Sequence, residues 1–343
     1  MRLRRPLIAL AGLAATALTL TACASGTTEE PAAAPAAAAG TGFPITIEHA
    51  FGETVIEEAP ERVATWGWGS TEAAVSVGVY PVAVAEQSWT VGEGNLLPWV
   101  EEAYDEAGVE YPTVLNDDEG GASVPYEEFI EAAPDLIVAP YSGLTEEQYD
   151  TLSDIAPVVA YPEAPWTTDW DETIEITTEA LGLKAEGEAV LDEIDAYLAD
   201  EAAAHPEFEG KTLAGIWDGD GVVSVYTGAD PRIAVLTELG LEVAPSVTEL
   251  DTTDGGFYYD LSYEQLDKLD SDLVVNYSSS QEAAEAILTK PETQAIPAVA
   301  AGKVAQVYDP VTVSSVSPPT ALSFQWEGGM PALIEAIAGV LGE

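Results

Sequence analysis

The chain has 343 residues, of which 61 are acidic and only 10 are basic, for a formal net charge of −51. This excess of negative charge disfavours binding to nucleic acid or to an anionic lipid surface, because both would be repelled. Hydrophobic residues make up 47% of the chain, which is typical of a folded protein rather than a disordered acidic one. An acidic surface also suits salty surroundings, so it does not by itself indicate a cationic ligand.

Residues 1–22 have the features of a secretory signal that ends at a lipoprotein cleavage site. Three arginines and an apolar stretch are followed by Thr21, Ala22 and Cys23. Cys23 is the only cysteine of the chain, so an internal disulfide is excluded and the thiol is predicted to carry a lipid. An ordinary signal peptide that happens to contain a cysteine is the alternative. We expect a protein anchored through Cys23 at the outer face of the cytoplasmic membrane.

A tether and two lobes are predicted after the cleavage site. Residues 23–42 are rich in Ala, Pro, Gly and Thr, which is typical of a flexible tether. The rest of the chain is long enough for one large or two medium domains. We predict an N-terminal lobe over residues 43–183, a connecting helix over 184–204 and a C-terminal lobe over 205–343. The apolar stripe that indicates this helix also fits one more layer of a single domain.

Short apolar segments alternate with helical ones and predict an α/β fold of two lobes. Mainly parallel sheets flanked by helices are expected in each lobe, with a single long rigid helix between them. Ser70 is predicted as the N-cap of the first helix. The predicted strands cover residues 45–49, 62–68, 82–85, 136–139, 158–161, 212–217, 222–226, 273–276 and 304–308.

One stretch of sequence occurs in both halves. In each copy, a Tyr-Glu pair begins a helical segment, and an aspartate nine residues later precedes a buried strand. Each strand leads to a tyrosine, Tyr141 or Tyr277, and a glutamate follows five residues later, Glu146 or Glu282. Because helix, strand, tyrosine and glutamate repeat in register, the pattern predicts a duplicated lobe.

Few residues are suited to catalysis or to holding a bare metal ion. The two histidines, His49 and His205, do not lie at strand ends, and no Gly-x-Ser-x-Gly motif is present. The sequence therefore predicts no enzyme, no cofactor and no zinc or manganese site, which would need several histidines. Tyrosine-bound ferric iron stays open because Tyr258 and Tyr259 are adjacent, although loop packing also explains such a pair.

Aromatic residues gather near the predicted carboxyl ends of strands, where open parallel sheets bind their ligands. Flat rings bury area at little entropic cost and can face a cation. Any one of these residues taken alone is as well explained by the core, where we place Trp99. As a group they predict a cleft between the lobes, lined by Trp66, Trp68, Trp89, Tyr141, Trp166, Trp217, Tyr226 and Tyr277.

Several motifs, in their order and spacing, resemble one family over about residues 43–342. They are the stretch 47–64, Ser-Thr-Glu at 70–72 before Val-Gly-Val-Tyr-Pro-Val at 77–82, and Ala-Pro-Asp-Leu-Ile-Val at 133–138. These motifs are similar to those of the ferric-siderophore receptors of ABC importers. Members of that family are substrate-binding lipoproteins with two α/β lobes and a rigid connecting helix.

The resemblance implies roles for matched positions. The strand-end aromatic residues, with Tyr258 and Tyr259, would contact a ferric siderophore whose own oxygens hold the iron. Arg232 lies where relatives often carry an arginine of the cleft. Glu146 and Glu282 would dock into arginine pockets of the permease, one from each lobe. The implied partners are a ferric siderophore, an ABC permease and the membrane itself, and the receptor is expected to be a monomer.

The number of arginines departs from receptors for triply anionic catecholates, which gather several in the cleft. Only Arg62 and Arg232 follow the signal segment, and Arg62 is expected to be structural. Because a buried anion needs paired charge, we predict a neutral or cationic ferric hydroxamate and disfavour ferric citrate. A receptor for haem, a corrinoid or tyrosine-ligated ferric iron is the alternative on the same fold. A surface lipoprotein without a transport role is a third interpretation.

Overall fold

The computed structural model describes residues 42–87, 95–117, 120–219, 221–253, 255–324 and 326–342. The predicted signal and almost all of the predicted tether, with Cys23, lie outside these ranges. Within them, every helix is too short or too polar to cross a membrane.

The N-terminal lobe contains an antiparallel hairpin, a parallel sheet and flanking helices. Its strands are β1 (Ile45–His49), β2 (Gly52–Ile56), β3 (Val63–Thr65), β4 (Ala83–Ala85), β5 (Thr113–Leu115), β6 (Leu136–Val138) and β7 (Val158–Val159). Strands β1 and β2 form the hairpin, and the other five form a parallel sheet in the order β5-β4-β3-β6-β7. Its helices are α1 (Ser70–Ser76), α2 (Pro98–Ala107), α3 (Tyr126–Ala132), α4 (Glu146–Ser153) and α5 (Trp170–Ala180).

After α6 (Lys184–Ala204), the C-terminal lobe is built on a mixed sheet. Its strands are β8 (Thr212–Gly219), β9 (Val222–Tyr226), β10 (Glu242–Val243), β11 (Tyr258–Ser262), β12 (Leu273–Ser278) and β13 (Val304–Tyr308). They are ordered β11-β9-β8-β12-β13, with β10 beside β8. The pairs β8–β9 and β9–β11 are antiparallel, and the other pairs are parallel. The helices are α7 (Pro231–Glu238), α8 (Pro245–Leu250), α9 (Gln281–Ile287), α10 (Pro297–Ala300), α11 (Pro310–Ser315) and α12 (Met330–Leu341), with 3₁₀ turns at Pro206–Phe208, Tyr263–Lys268 and Thr293–Ala295.

The long helix α6 joins the lobes through a shared core. A Cβ at Gly187 would lie 2.0 Å from Thr178 Oγ1, so this glycine allows α5 and α6 to pack closely. Further along α6, buried Ile194 and Leu198 belong to the same apolar cluster as residues of α5, α7 and β12. The predicted α/β class, with a long helix between two lobes, is confirmed, although the C-terminal sheet is less parallel than the N-terminal one.

A second apolar cluster lies at the junction of the lobes. Leu97 and Trp99 of the N-terminal lobe pack with Val311 and Trp326 of the C-terminal lobe, and the two tryptophan rings lie 5.2 Å apart. Glu72 of α1 is buried beside them and accepts a hydrogen bond from Trp99 Nε1 at 3.1 Å. Burial raises the pKa of the Glu72 carboxyl, and hydrogen bonds oppose the rise only in part. The junction therefore contains an acid that is more easily buried in its protonated form.

Some local predictions differ from the structure. Ser70 is the first residue of α1, and the N-cap is Gly69, whose φ of 82° favours glycine. The Ser70 hydroxyl is buried and has no hydrogen-bond partner among the described residues. The predicted strands do not include β2, β5, β10 or β11, whose sequences are GETVI, TVL, EV and YYDLS. Each of the four contains polar residues, so none is the continuous apolar run that indicates a buried strand.

The change Glu72→Gln tests the buried acid at the junction. Because the folded state raises its pKa, Glu72 contributes stability at acidic pH that is lost as the pH rises through the raised value. The glutamine keeps an oxygen for Trp99 Nε1 but does not ionise. We expect the variant to match the wild type near pH 4 and to be more stable by about 1–2 kcal/mol at pH 8, the usual order for relieving a buried charge.

Urea unfolding at both pH values measures this difference. Glu127→Gln, at an exposed glutamate in the first turn of α3, is the matched control and should show no such pH dependence. A Glu72→Gln effect of equal size at both pH values would show that Glu72 does not titrate on unfolding.

Candidate functional site

Three of the predicted aromatic residues lie together beyond the carboxyl ends of the N-terminal strands. The backbone N–H of Trp68 donates to the Tyr141 carbonyl at 3.1 Å. The rings of Tyr141 and Trp166 meet edge to face, with centroids 5.5 Å apart. Gly67 makes this approach possible, because its φ is 84° and a Cβ there would lie 2.2 Å from the Tyr141 carbonyl oxygen. Trp68, Tyr141 and Trp166 therefore form a first aromatic group, on the N-terminal lobe.

Four more share one face of the C-terminal sheet. In the strand register, Tyr277 lies opposite Trp217, and Tyr258 lies opposite Tyr226. Tyr226 in turn lies opposite Gly215, two residues before Trp217, so all four side chains project to the same face. The rings of Tyr226 and Tyr277 are buried and meet edge to face at 5.8 Å. This face forms the second aromatic group.

Arg232, at the start of α7, connects the two groups. Its guanidinium carbon lies 3.9 Å from the ring centroid of Tyr226 and 5.6 Å from that of Tyr277. Its Nε donates to Asp230 Oδ1 at 2.8 Å. It also interacts with the Tyr141 side chain of the other lobe. The side chain of Arg232 is 12% exposed and that of Asp230 is fully buried. Aromatic rings of both lobes therefore meet at one ion pair.

The electrostatics of this centre follow from its burial. Burial raises the pKa of the Tyr141 and Tyr277 hydroxyls, so both are protonated at neutral pH. At Arg232 burial is the largest influence and lowers the pKa, but Asp230 and the tyrosines around it together outweigh burial, and the net shift is upward. Burial also raises the pKa of Asp230, which Arg232 opposes. A carboxylate against a buried guanidinium stays ionised, because neutralising it would leave the arginine unpaired. The centre is charged in both partners but neutral in sum.

Not all of the residues predicted to line a cleft belong to these two aromatic groups. Trp66 is fully buried in the N-terminal core, 5.7 Å from the ring of Phe129. Tyr259 follows Tyr258 on β11, so its ring is on the opposite face, where its hydroxyl donates to the Val247 carbonyl at 3.0 Å. The two adjacent tyrosines therefore do not converge on one ion. Trp89 lies outside the described residues.

Metal ligands were not predicted, and the described part of the chain contains no group of three His, Cys, Asp or Glu side chains that could hold an ion.

Glu146 and Glu282 lie on the surface, exposed in the first turns of α4 and α9. The side chains of Thr145 and Ser280 cap these two helices. From the strand to the capped helix, the repeat in the sequence therefore corresponds to the same local structure in both lobes. Its first helical segment is an α-helix in one lobe, α3, and a 3₁₀ turn in the other.

Sequence reasoning missed Asp230 and residues 318–321. Residues 318–321 line a small recess together with Trp68 and Tyr141, and they belong to neither a helix nor a strand. Asp230 precedes Pro231, which is a helix-start signal, and its side chain does accept from the backbone N–H of Arg232. That signal predicts the cap but not the ion pair.

Two α/β lobes that bring aromatic side chains from both sheets to one place define a class of solute-binding proteins. The chain belongs to the periplasmic binding protein family, whose model matches residues 63–310. Among solved structures it is similar to Streptococcus pneumoniae PiaA in complex with ferrichrome, with 32% identity, a TM-score of 0.78 and coverage of 87% of this chain and 99% of that chain. No curated protein sequence matches.

Two further structures are similar over the same extent. A periplasmic solute binding protein of Mycobacterium smegmatis is 27% identical, with a TM-score of 0.70 and coverage of 87% of this chain and 99% of that chain. Staphylococcus aureus SirA complexed with staphyloferrin B shares the fold at 22% identity, with a TM-score of 0.66 and coverage of 87% and 98%. The resemblance inferred from the sequence is confirmed. Proteins of this family are extracytoplasmic solute-binding proteins of importers rather than enzymes.

Proposed function

We propose that the protein captures a ferric siderophore between its lobes and delivers it to an ABC permease. The observation that carries this proposal is the meeting of aromatic residues from both lobes around Arg232. A siderophore brings its own oxygen ligands for iron, so the receptor needs only surfaces that fit the organic shell. Supporting this, PiaA is an iron uptake ABC transporter substrate-binding protein, and it was solved with ferrichrome.

We infer that the siderophore is a neutral or cationic hydroxamate. Arg62 donates to the carbonyls of Ala132 and Ala133 at the amino end of β3, whereas Trp68 lies beyond the carboxyl end of that strand. Arg232 is already paired with Asp230. Burying a triply negative complex without opposing charge is unfavourable, so catecholate complexes and ferric citrate are poor ligands for this cleft.

Equilibrium titrations with ferrioxamine, ferric enterobactin and ferric citrate test the function. Tryptophan fluorescence is the readout, because Trp68, Trp166 and Trp217 lie beside the proposed ligand. Ferrioxamine should quench it with a Kd below about 1 μM, the range of a specific small-ligand site. The two anionic complexes should bind far more weakly.

Tight binding of the catecholate without the hydroxamate would contradict the charge argument. The protein could bind none of the three complexes and show, as purified, the absorption spectrum of haem or a corrinoid. That result would identify haem or the corrinoid as the ligand instead of a siderophore. Both measurements use the same protein sample.

We also propose that Glu146 and Glu282 dock the receptor on its permease. Both are exposed at the starts of helices that follow the cleft tyrosines, one in each lobe. The double change to arginine should leave siderophore affinity within about twofold, since both carboxylates are on the surface, and should abolish uptake by placing like charges against the arginine pockets implied by the family.

The matched control for docking is the double change of Glu147 and Glu285 to arginine. These exposed glutamates lie one and three residues further along the same helices, so the net charge changes equally. Radiolabelled iron uptake compares the two. Equal loss in both variants would show that only the charge of the surface matters.

Finally, we propose that lipid on Cys23 holds the receptor at the outer face of the cytoplasmic membrane. The residues between Cys23 and the body then act as a spacer. Cys23→Ser should move the protein from the membrane fraction to the soluble extracytoplasmic fraction and leave its siderophore affinity unchanged. A variant that stays with the membrane fraction to the same extent as the wild type would exclude the anchor.

A further inference from the structure

We propose that Asp230 sets the ligand charge that the cleft accepts, because it cancels the charge of Arg232 and thereby selects uncharged siderophores over anionic ones. The inference rests on the proposed function and names the residue that determines its substrate class. Arg232 alone would make the centre of the cleft an anion site.

The geometry of the pair supports a direct cancellation of charge. Asp230 Oδ1 accepts from Arg232 Nε at 2.8 Å and from the Arg232 backbone N–H at 2.9 Å. This double contact fixes the guanidinium over the ring of Tyr226. Since the aspartate is fully buried and the arginine nearly so, water and salt screen the pair little. A ligand that reaches Arg232 therefore meets a dipole rather than a free cation.

Asp230 is also the only carboxylate among the described groups that act strongly on Arg232. The others are the hydroxyls of Tyr226, Tyr141 and Tyr277, which are protonated. Lys290, a partly buried lysine of the same lobe, is held by both oxygens of Asp218 at 3.1 and 2.9 Å. Removing the charge of Asp230 would therefore leave Arg232 without a compensating carboxylate.

Helix capping does not explain a charged residue at this position. Asparagine caps a helix about as well as aspartate, yet Asp230 Oδ2 is buried without a hydrogen-bond partner among the described residues. Such an orphan oxygen costs stability. Asp309 caps α11 in the same Asp-Pro sequence, but there the side chain is exposed. The buried charge of Asp230 thus has a role beyond the cap.

The change Asp230→Asn tests the inference in the full-length protein. Asparagine keeps the oxygen that caps α7 and accepts from Arg232 Nε, and it removes the charge. Ferrichrome is the uncharged probe, and ferric citrate and ferric enterobactin are the anionic probes. We expect the affinity for the anions to rise by about tenfold or more relative to that for ferrichrome, with a new dependence on salt.

Asp309→Asn is the matched control, because it removes the same charge from a similar cap. It should leave the ratio of ferrichrome to anion affinity unchanged, which separates the cleft from the overall acidity of the chain. Asp230→Ser, which also keeps a capping oxygen, is used if Asp230→Asn does not fold. Thermal unfolding checks both variants.

Three results would overturn the inference. The affinity ratio of the Asp230 variants could equal that of Asp309→Asn. A folded variant could lose both kinds of ligand equally, which would make Asp230 a positioning residue for Arg232. The wild type could bind ferric enterobactin as tightly as ferrichrome, which would contradict the inference without the use of any variant. Failure of the proposed function looks different, because the wild type would then bind no ferric siderophore at all.

Discussion

The ion pair between Arg232 and Asp230 is the interaction on which the cleft depends. A buried pair gains little stability on average, because removing two charges from water costs about as much as their attraction returns. Here the cation also lies over the ring of Tyr226 and interacts with Tyr141 of the other lobe. The pair therefore organises side chains of both lobes around one point, and its value is better understood as selectivity for the ligand than as stability of the fold.

A single local plan, used twice, builds the surroundings of this pair. In each lobe a buried strand leads to a tyrosine, and a capped helix follows whose first turn exposes a glutamate. Carboxyl ends of parallel strands lie at one edge of a sheet, so Tyr141 and Tyr277 face the space between the lobes. The helix starts lie further out, where Glu146 and Glu282 remain exposed. Duplication thus gives each lobe one buried tyrosine and one exposed glutamate, to which the proposed function assigns the ligand and the permease.

The local patterns of the sequence were sufficient for the α/β class and the long helix, and they named seven aromatic residues that the structure gathers into two groups. They were insufficient where one residue of register decides the outcome. Trp66 and Trp68 are separated by a glycine with positive φ, and only the second leaves the core. Tyr258 and Tyr259 belong to an unpredicted antiparallel strand, whose alternation separates them. The role of Asp230 depends on the tertiary position of Arg232, and no local signal reports it.

The junction between the lobes explains how a neutral ion pair can discriminate at all. Trp99 and Trp326 pack across it, α6 shares the core of both sides, and Gly187 brings α5 and α6 into close contact. Lobes that share so much buried surface move little relative to each other, whereas lobes on a flexible linker would open to water. Water in the cleft would screen Arg232 and Asp230 and weaken any preference for ligand charge. In the proposed selection of ligand charge, a stiff junction and a paired arginine therefore act together.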